Sequence, residues 1–168
     1  MLAILLPVLL TTVTRPAHTL EIYKSERKME LVVGKEILRT FKVALGSAPS
    51  GDKERRGDSK TPEGEFYVAW KNPRSSFHRF LGLSYPMPRH AERALAGGLI
   101  DRSTRDAIVR AASKKTQPPQ SSMLGGFVGI HGGGSGEDWT LGCIAVSDEE
   151  AEFLFSEMQV GDRIVVHP

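Results

Sequence analysis

The sequence predicts a mainly β domain that carries a helical insertion and has one further helix near its C-terminal end. Three observations predict it. Apolar and polar residues alternate along much of residues 19–85, the pattern of strands with one buried face. Residues 87–124 lose that alternation and hold two stretches of helical spacing, divided by Gly97-Gly98 and stopped by Pro118-Pro119. Finally, Ser147-Asp148-Glu149-Glu150 has capping-box spacing, a hydroxyl followed three residues later by an acid.

In chain order, Leu20 and Ile22 alternate with polar neighbours. The polar turn Ser25-Glu26-Arg27-Lys28 and the apolar run Met29 to Val33 follow, which together read as a hairpin. Over residues 36–45, Phe41, Val43 and Leu45 share one face, with Thr40 and Lys42 on the other. A long polar loop then runs from Gly46 to Glu63. Phe66, Val68 and Trp70 mark the next strand and Leu81 to Tyr85 a further short one. The insertion holds helices at about 89–96 and 102–113, the second with Ile108, Val109 and Ala112 on one side. It could pack against the scaffold or act as a substrate lid. Phe127 to Ile130 leads as a strand into His131. The glycine-rich residues 132–136 then connect to Thr140-Leu141-Gly142-Cys143-Ile144-Ala145-Val146. Behind the capping box, Ala151, Leu154, Phe155 and Met158 follow helical spacing. Gly161-Asp162 turns the chain into a last strand, Ile164 to Val166.

Length and composition suit one domain: 168 residues, 40% hydrophobic, net charge +2. No basic block interleaved with aromatics and no nucleic-acid-binding motif is present, so no nucleic-acid partner is expected. A metal site is a poor reading, since zinc needs three or four ligands and His18, His78, His90 and His167 are scattered. The run Gly132-Gly133-Gly134-Ser135-Gly136 lacks the Gly-Lys-Ser/Thr of a phosphate loop. No cofactor is implied.

Met1 to Val13 is apolar apart from Pro7 and two threonines, and is short for a bilayer span. It reads as the apolar part of a secretory signal or as an N-terminal apolar segment, without the usual charged start. Residues 1–18 are accordingly set apart from a domain over 19–168, with no integral span in the mature protein.

One cysteine cannot form an internal disulfide, and an unpaired thiol in an exported chain is prone to oxidation. Cys143 therefore reads as a residue with a chemical task. A thiol performs acyl transfer as its thiolate and needs a nearby base, and His131 is the candidate. If the two apolar runs are adjacent strands, the connection between them returns the thiol beside the imidazole. Gly142, without a Cβ, lets successive backbone N–H groups turn towards a developing oxyanion. On spacing alone, a core cysteine and an ordinary histidine remain open alternatives.

The segment Ile130-His131-Gly132 … Thr140-Leu141-Gly142-Cys143-Ile144 resembles the signature of the L,D-transpeptidase (YkuD-type) catalytic domain, and Thr61-Pro62-Glu63-Gly64-Glu65-Phe66 matches that family's Thr-Pro-x-Gly-x-Phe. The resemblance runs over roughly residues 19–167. It implies an L,D-transpeptidase-like β-sandwich, a bacterial periplasmic or envelope location, and peptidoglycan stem peptides as substrate. It also implies Cys143 as nucleophile, His131 as base, and Gly132 as the carbonyl that orients the imidazole, with Asp138 as the side-chain alternative. Oxyanion donors would be the amides of Leu141, Gly142 and Cys143. Substrate contacts are expected from Thr140, His78, Arg79 and Tyr85. Many members carry His before the Gly-Cys and Arg two residues after the Cys; here Leu141 and Ala145 stand there, and Asn72-Pro73 … Ser84-Tyr85-Pro86 resembles the YafK-like branch. Those departures leave the fate of the thioester open. An amine acceptor would give a 3–3 crosslink or attach a protein to the wall, whereas water would make the chain a hydrolase, one that could release a wall-linked lipoprotein. A non-enzymatic wall-binding module is the remaining alternative.

Overall fold

The computed structural model describes residues 14–168. Its strands are β1 (His18–Tyr23), β2 (Lys28–Val33), β3 (Glu36–Lys42), β4 (Gly64–Ser75), β5 (His78–Leu83), β6 (Gly129–His131), β7 (Ile144–Ala145) and β8 (Arg163–His167). The helices are α1 (Pro88–Ala96), α2 (Arg102–Ser113) and α3 (Asp148–Glu157). The apolar segment Met1 to Val13 lies outside the described residues. Residues 14–18 belong to the folded part: Arg15 pairs with Asp162 at 2.9 Å, and the Gly34 amide donates to the Ala17 carbonyl at 2.8 Å.

The strands form one curled sheet in the order β3-β2-β1-β8-β4-β5-β6-β7. Strand β4 makes the bend. Gly64–Tyr67 pairs with β8, whereas Val68–Ser75 pairs with β5, so one long strand serves both halves of the sheet. The curl brings the two ends of the sheet together. Just beyond β3, Ala44 exchanges backbone hydrogen bonds with Ala145 of β7 at 2.9 and 2.8 Å, and Gly46 bridges Thr140. Both contacts flank Cys143. Closing the sheet thus positions the site.

The core between the halves holds Leu20, Ile22, Met29, Leu31, Phe41, Val43, Leu45, Phe66, Val68, Leu81, Leu83, Ile130, Ile144 and Ile164. These are largely the alternate positions that pleating sends to one face. Helix α3 packs on this core through Ala151, Leu154 and Met158. Its capping box is formed: Ser147 Oγ accepts the Glu150 amide at 3.2 Å and Glu150 accepts the Ser147 amide at 3.0 Å. The insertion has its own small core of Ala91, Ala94, Ile108 and Leu124. On α2, Ile108 and Ala111 are the buried residues, whereas Val109, expected on the same side as Ile108, is exposed. The insertion is tied to the long loop by Asp52, which meets Arg89 and Arg93 at 3.0 and 3.1 Å and His90 at 3.4 Å.

Candidate active site

Strands β6 and β7 are parallel neighbours, with Ile130 opposite Ile144 and His131 opposite Ala145. That register leaves Cys143 at the entry of β7, one residue before the pairing begins. His131 and Cys143 line the same pocket, of about 660 Å³. Its size suits a small ligand or a stretch of peptide.

His131 is buried and its orientation is fixed. Its Nδ1 lies 2.6 Å from the Gly132 carbonyl oxygen. A carbonyl only accepts, so Nδ1 carries the proton and Nε2 keeps a free lone pair. Asp138 does not perform this task. It forms a forked pair with Arg27 at 2.7–3.1 Å and accepts the Leu45 amide at 2.9 Å. Aromatic rings enclose the imidazole: Phe77 stacks on it at 4.8 Å and Trp139 meets it edge-on at 5.7 Å. Burial among them lowers the His131 pKa, offset in part by the bond to Gly132.

Cys143 is half-buried, and its Sγ donates to the Phe127 carbonyl at 3.4 Å. Burial pushes the thiol up to about 11, against the opposing pull of the Gly129 amide and the Lys53 charge. The resting pair is therefore a thiol and a neutral imidazole rather than an ion pair.

The turn before Cys143 is clamped. Thr140 Oγ1 donates to the Cys143 carbonyl at 2.7 Å and accepts the Gly142 amide at 3.1 Å. Thr61 of the Thr-Pro motif is fully buried, accepts the Gly46 amide at 2.9 Å and reaches the Cys143 carbonyl at 3.5 Å. The two sequence motifs thus meet at the Cys143 carbonyl. Gly142 has φ +132°, and a Cβ there would lie 2.6 Å from the Lys60 carbonyl oxygen, so only glycine fits. Of the three amides expected at the oxyanion position, that of Gly142 is already engaged by Thr140. Among the described residues, the Leu141 and Cys143 amides donate to no protein group.

The expected substrate residues divide. Thr140 lines the pocket, but its hydroxyl is occupied within the turn. His78 and Arg79 lie outside the pocket, bonded to Glu152 of α3 at 2.9 and 2.6 Å. Tyr85 is fully buried, with its hydroxyl on the Leu124 carbonyl at 2.9 Å, and is a core residue rather than a groove residue. In their place the pocket draws on Lys53, Arg56, Phe77, Gln120, Phe127 and Trp139. No local sequence signal marked these, since they come from four separate loops. The insertion contributes to the pocket through the segment after α2, residues 120–127, and not through its helices. Gln120 organises that segment by accepting the Phe127 amide at 2.7 Å and donating to the Tyr85 carbonyl at 3.0 Å.

A profile of the L,D-transpeptidase catalytic domain, YkuD, matches residues 17–166. The chain belongs to this family. Over 74 residues it is 32% identical to the "Putative L,D-transpeptidase YafK" of Escherichia coli, a match that covers 40% of this chain and 30% of the relative. Among solved structures it is similar to an L,D-transpeptidase from Xylanimonas cellulosilytica, with TM-score 0.55 and 16% identity over 94% of this chain and 63% of the other. L,D-transpeptidase 1 of Mycobacterium tuberculosis superposes with TM-score 0.53 and 17% identity over 91% and 62%. Pgp2, a helical cell shape determining protein of Campylobacter jejuni, gives TM-score 0.60 and 18% identity over 91% of this chain and 48% of its own. The chain spans less than two thirds of the length of each. At these identities the structural likeness speaks to the fold, which is the expected L,D-transpeptidase-like β architecture.

Proposed function

We propose that this L,D-transpeptidase-family chain performs cysteine-dependent acyl transfer on peptidoglycan stem peptides in the bacterial envelope. The observation that carries the reading is the placement of His131 on β6 and of Cys143 at the entry of the parallel neighbour β7, both lining one pocket, with the imidazole held as the Nδ1–H tautomer.

With a thiol near 11, only about one molecule in 10⁴ is thiolate at pH 7, so the proton has to move during attack. His131 Nε2 takes it from Cys143 Sγ as sulfur bonds to the carbonyl carbon of the scissile amide. The amides of Leu141 and Cys143 are the donors we assign to the resulting oxyanion; each such donor is worth about 3–4 kcal/mol of barrier. When the tetrahedral species collapses, the C–N bond breaks and His131 returns the proton to the leaving amine. The thioester that remains is resolved by the amine of a second stem, forming a 3–3 crosslink, or by an amine of a wall-attached protein. Water in the same role would give hydrolysis.

Intact-mass spectrometry after incubation with a carbapenem tests the nucleophile. An adduct on the wild type that vanishes in Cys143→Ala is expected; an adduct that survives the substitution refutes it. Muropeptide digests resolved by mass then test the acceptor. New 3–3 crosslinks are expected. Shortened stems, or a freed lipoprotein, without crosslinks would reassign the chain as a hydrolase.

A further inference from the structure

Lys53 sits in the polar loop after β3, yet its side chain is only 4% exposed. A buried ammonium is stable only when it is paired. Two of its three N–H donors are engaged, by Asp58 Oδ1 at 2.6 Å and by the Arg55 carbonyl at 3.1 Å. Asp58 is itself fixed by the backbone amides of Glu54, Arg55 and Lys60. The third N–H of Lys53 meets no acceptor among the described residues. The ammonium lines the pocket that holds Cys143, and Nζ would lie 3.6 Å from a Cβ built on Gly142. It therefore stands beside the peptide unit that precedes the nucleophile. The charged groups lining the pocket are Lys53 and Arg56, with His131 as the titratable neighbour and no carboxylate. Arg56 is held on the rim by the Ser121 and Ser122 carbonyls at 2.6 and 2.9 Å.

Negative charge must appear on Cys143 Sγ and then on the carbonyl oxygen, while the Gly142 amide is engaged elsewhere and position 145 is alanine. We propose that Lys53, anchored by Asp58, is a positioning residue of the acyl-transfer site: a fixed cation whose field favours the Cys143 thiolate and the oxyanion. The inference rests on Cys143 being the nucleophile. The proton still passes from Sγ to His131 Nε2, and Lys53 takes no part in that transfer.

The test is alkylation of Cys143 in the full chain by iodoacetamide, a neutral probe, followed by intact mass across pH 6–10. Cys143→Ala, which removes the one cysteine, controls for off-site labelling, and a carbapenem run on the wild type separates the two readings: a Cys143 that alkylates but gains no carbapenem adduct overturns the nucleophile assignment and the Lys53 proposal with it. With labelling confined to Cys143, Lys53→Met should shift the pH–rate curve up by about one unit, a tenfold slower reaction at pH 8, while Lys53→Arg stays within about threefold. A folded Lys53→Met with the wild-type curve overturns the proposal. So does equal slowing in both variants, which would mark shape rather than charge. If Lys53→Met does not fold, Arg56→Met decides in its place, because it leaves Lys53 as the cation lining the pocket. The ratio of iodoacetate to iodoacetamide rates should exceed that of free cysteine at low salt and fall as salt screens the cation. A ratio equal to that of free cysteine overturns it.

Discussion

Replacing Thr140 by valine keeps the shape of the side chain and removes its hydroxyl. Two contacts disappear: the donation to the Cys143 carbonyl at 2.7 Å and the acceptance of the Gly142 amide at 3.1 Å. Thr140 is 4% exposed, so water does not readily replace them. Each bond contributes about 1 kcal/mol, and a buried group left without a partner costs about 1–3 kcal/mol. The Cys143 carbonyl retains only the long contact to Thr61 at 3.5 Å. The expected loss is about 2–4 kcal/mol, or roughly 5–12 °C in melting temperature for a domain of this size. Calorimetry checks the stability, and carbapenem acylation followed by mass checks the geometry of the nucleophile. Acylation should slow by about tenfold or more, since the turn carrying Cys143 is released. Thr140→Ser, which keeps the hydroxyl, should melt within about 2 °C of the wild type. The reasoning is refuted if Thr140→Val melts and acylates like the wild type. A variant of unchanged stability that raises KM for stem peptide alone would instead make Thr140 a substrate contact.

His131→Gln should lower the acylation rate by about 10²–10⁴-fold with little change in melting temperature, measured by carbapenem adduct formation against time. Gly142→Ala forces a side chain into φ +132° and against the Lys60 carbonyl, so a loss of about 2–4 kcal/mol by chemical denaturation is expected, with acylation abolished. Burial alone would raise the Asp52 carboxyl, but His90, the Glu63 amide and Arg89 outweigh it and hold it well below the usual carboxylate range. A depressed carboxyl stabilises the fold above its unfolded pKa, about 4, and loses that contribution as pH falls through the folded value. Asp52→Asn should therefore melt several degrees below the wild type at pH 7, by calorimetry, and the gap should narrow as the pH is taken below about 4. A gap that is constant with pH would remove Asp52 as the ionic tie between α1 and the loop.

Alternation along β1 and β2 was readable because each strand has one face on the core, whereas β3 buries only Phe41. The limits of α1 and α2 were equally readable, since Gly97-Gly98 and Pro118 interrupt helices locally. His131 and Cys143 stood out because both motifs are contiguous in the chain, and backbone geometry confines the Gly142 turn to glycine. None of that locates Lys53, Gln120 or Trp139 at the pocket, because each reaches it from a separate loop after the sheet has curled. Local reading also misplaced Tyr85 and Arg79: a tyrosine beside a proline gives no sign of burial, and an arginine at a strand start gives no sign of Glu152 across on α3. Chain-local signals thus settled most strands and helices and nominated His131 and Cys143, all from near neighbours in the chain. Tertiary structure alone decided which amides remain open at the oxyanion position and which cation stands beside the thiol. Those depend on the meeting of β3's extension, the 46–63 loop and β7, segments some 100 residues apart that only sheet closure brings within a few ångströms.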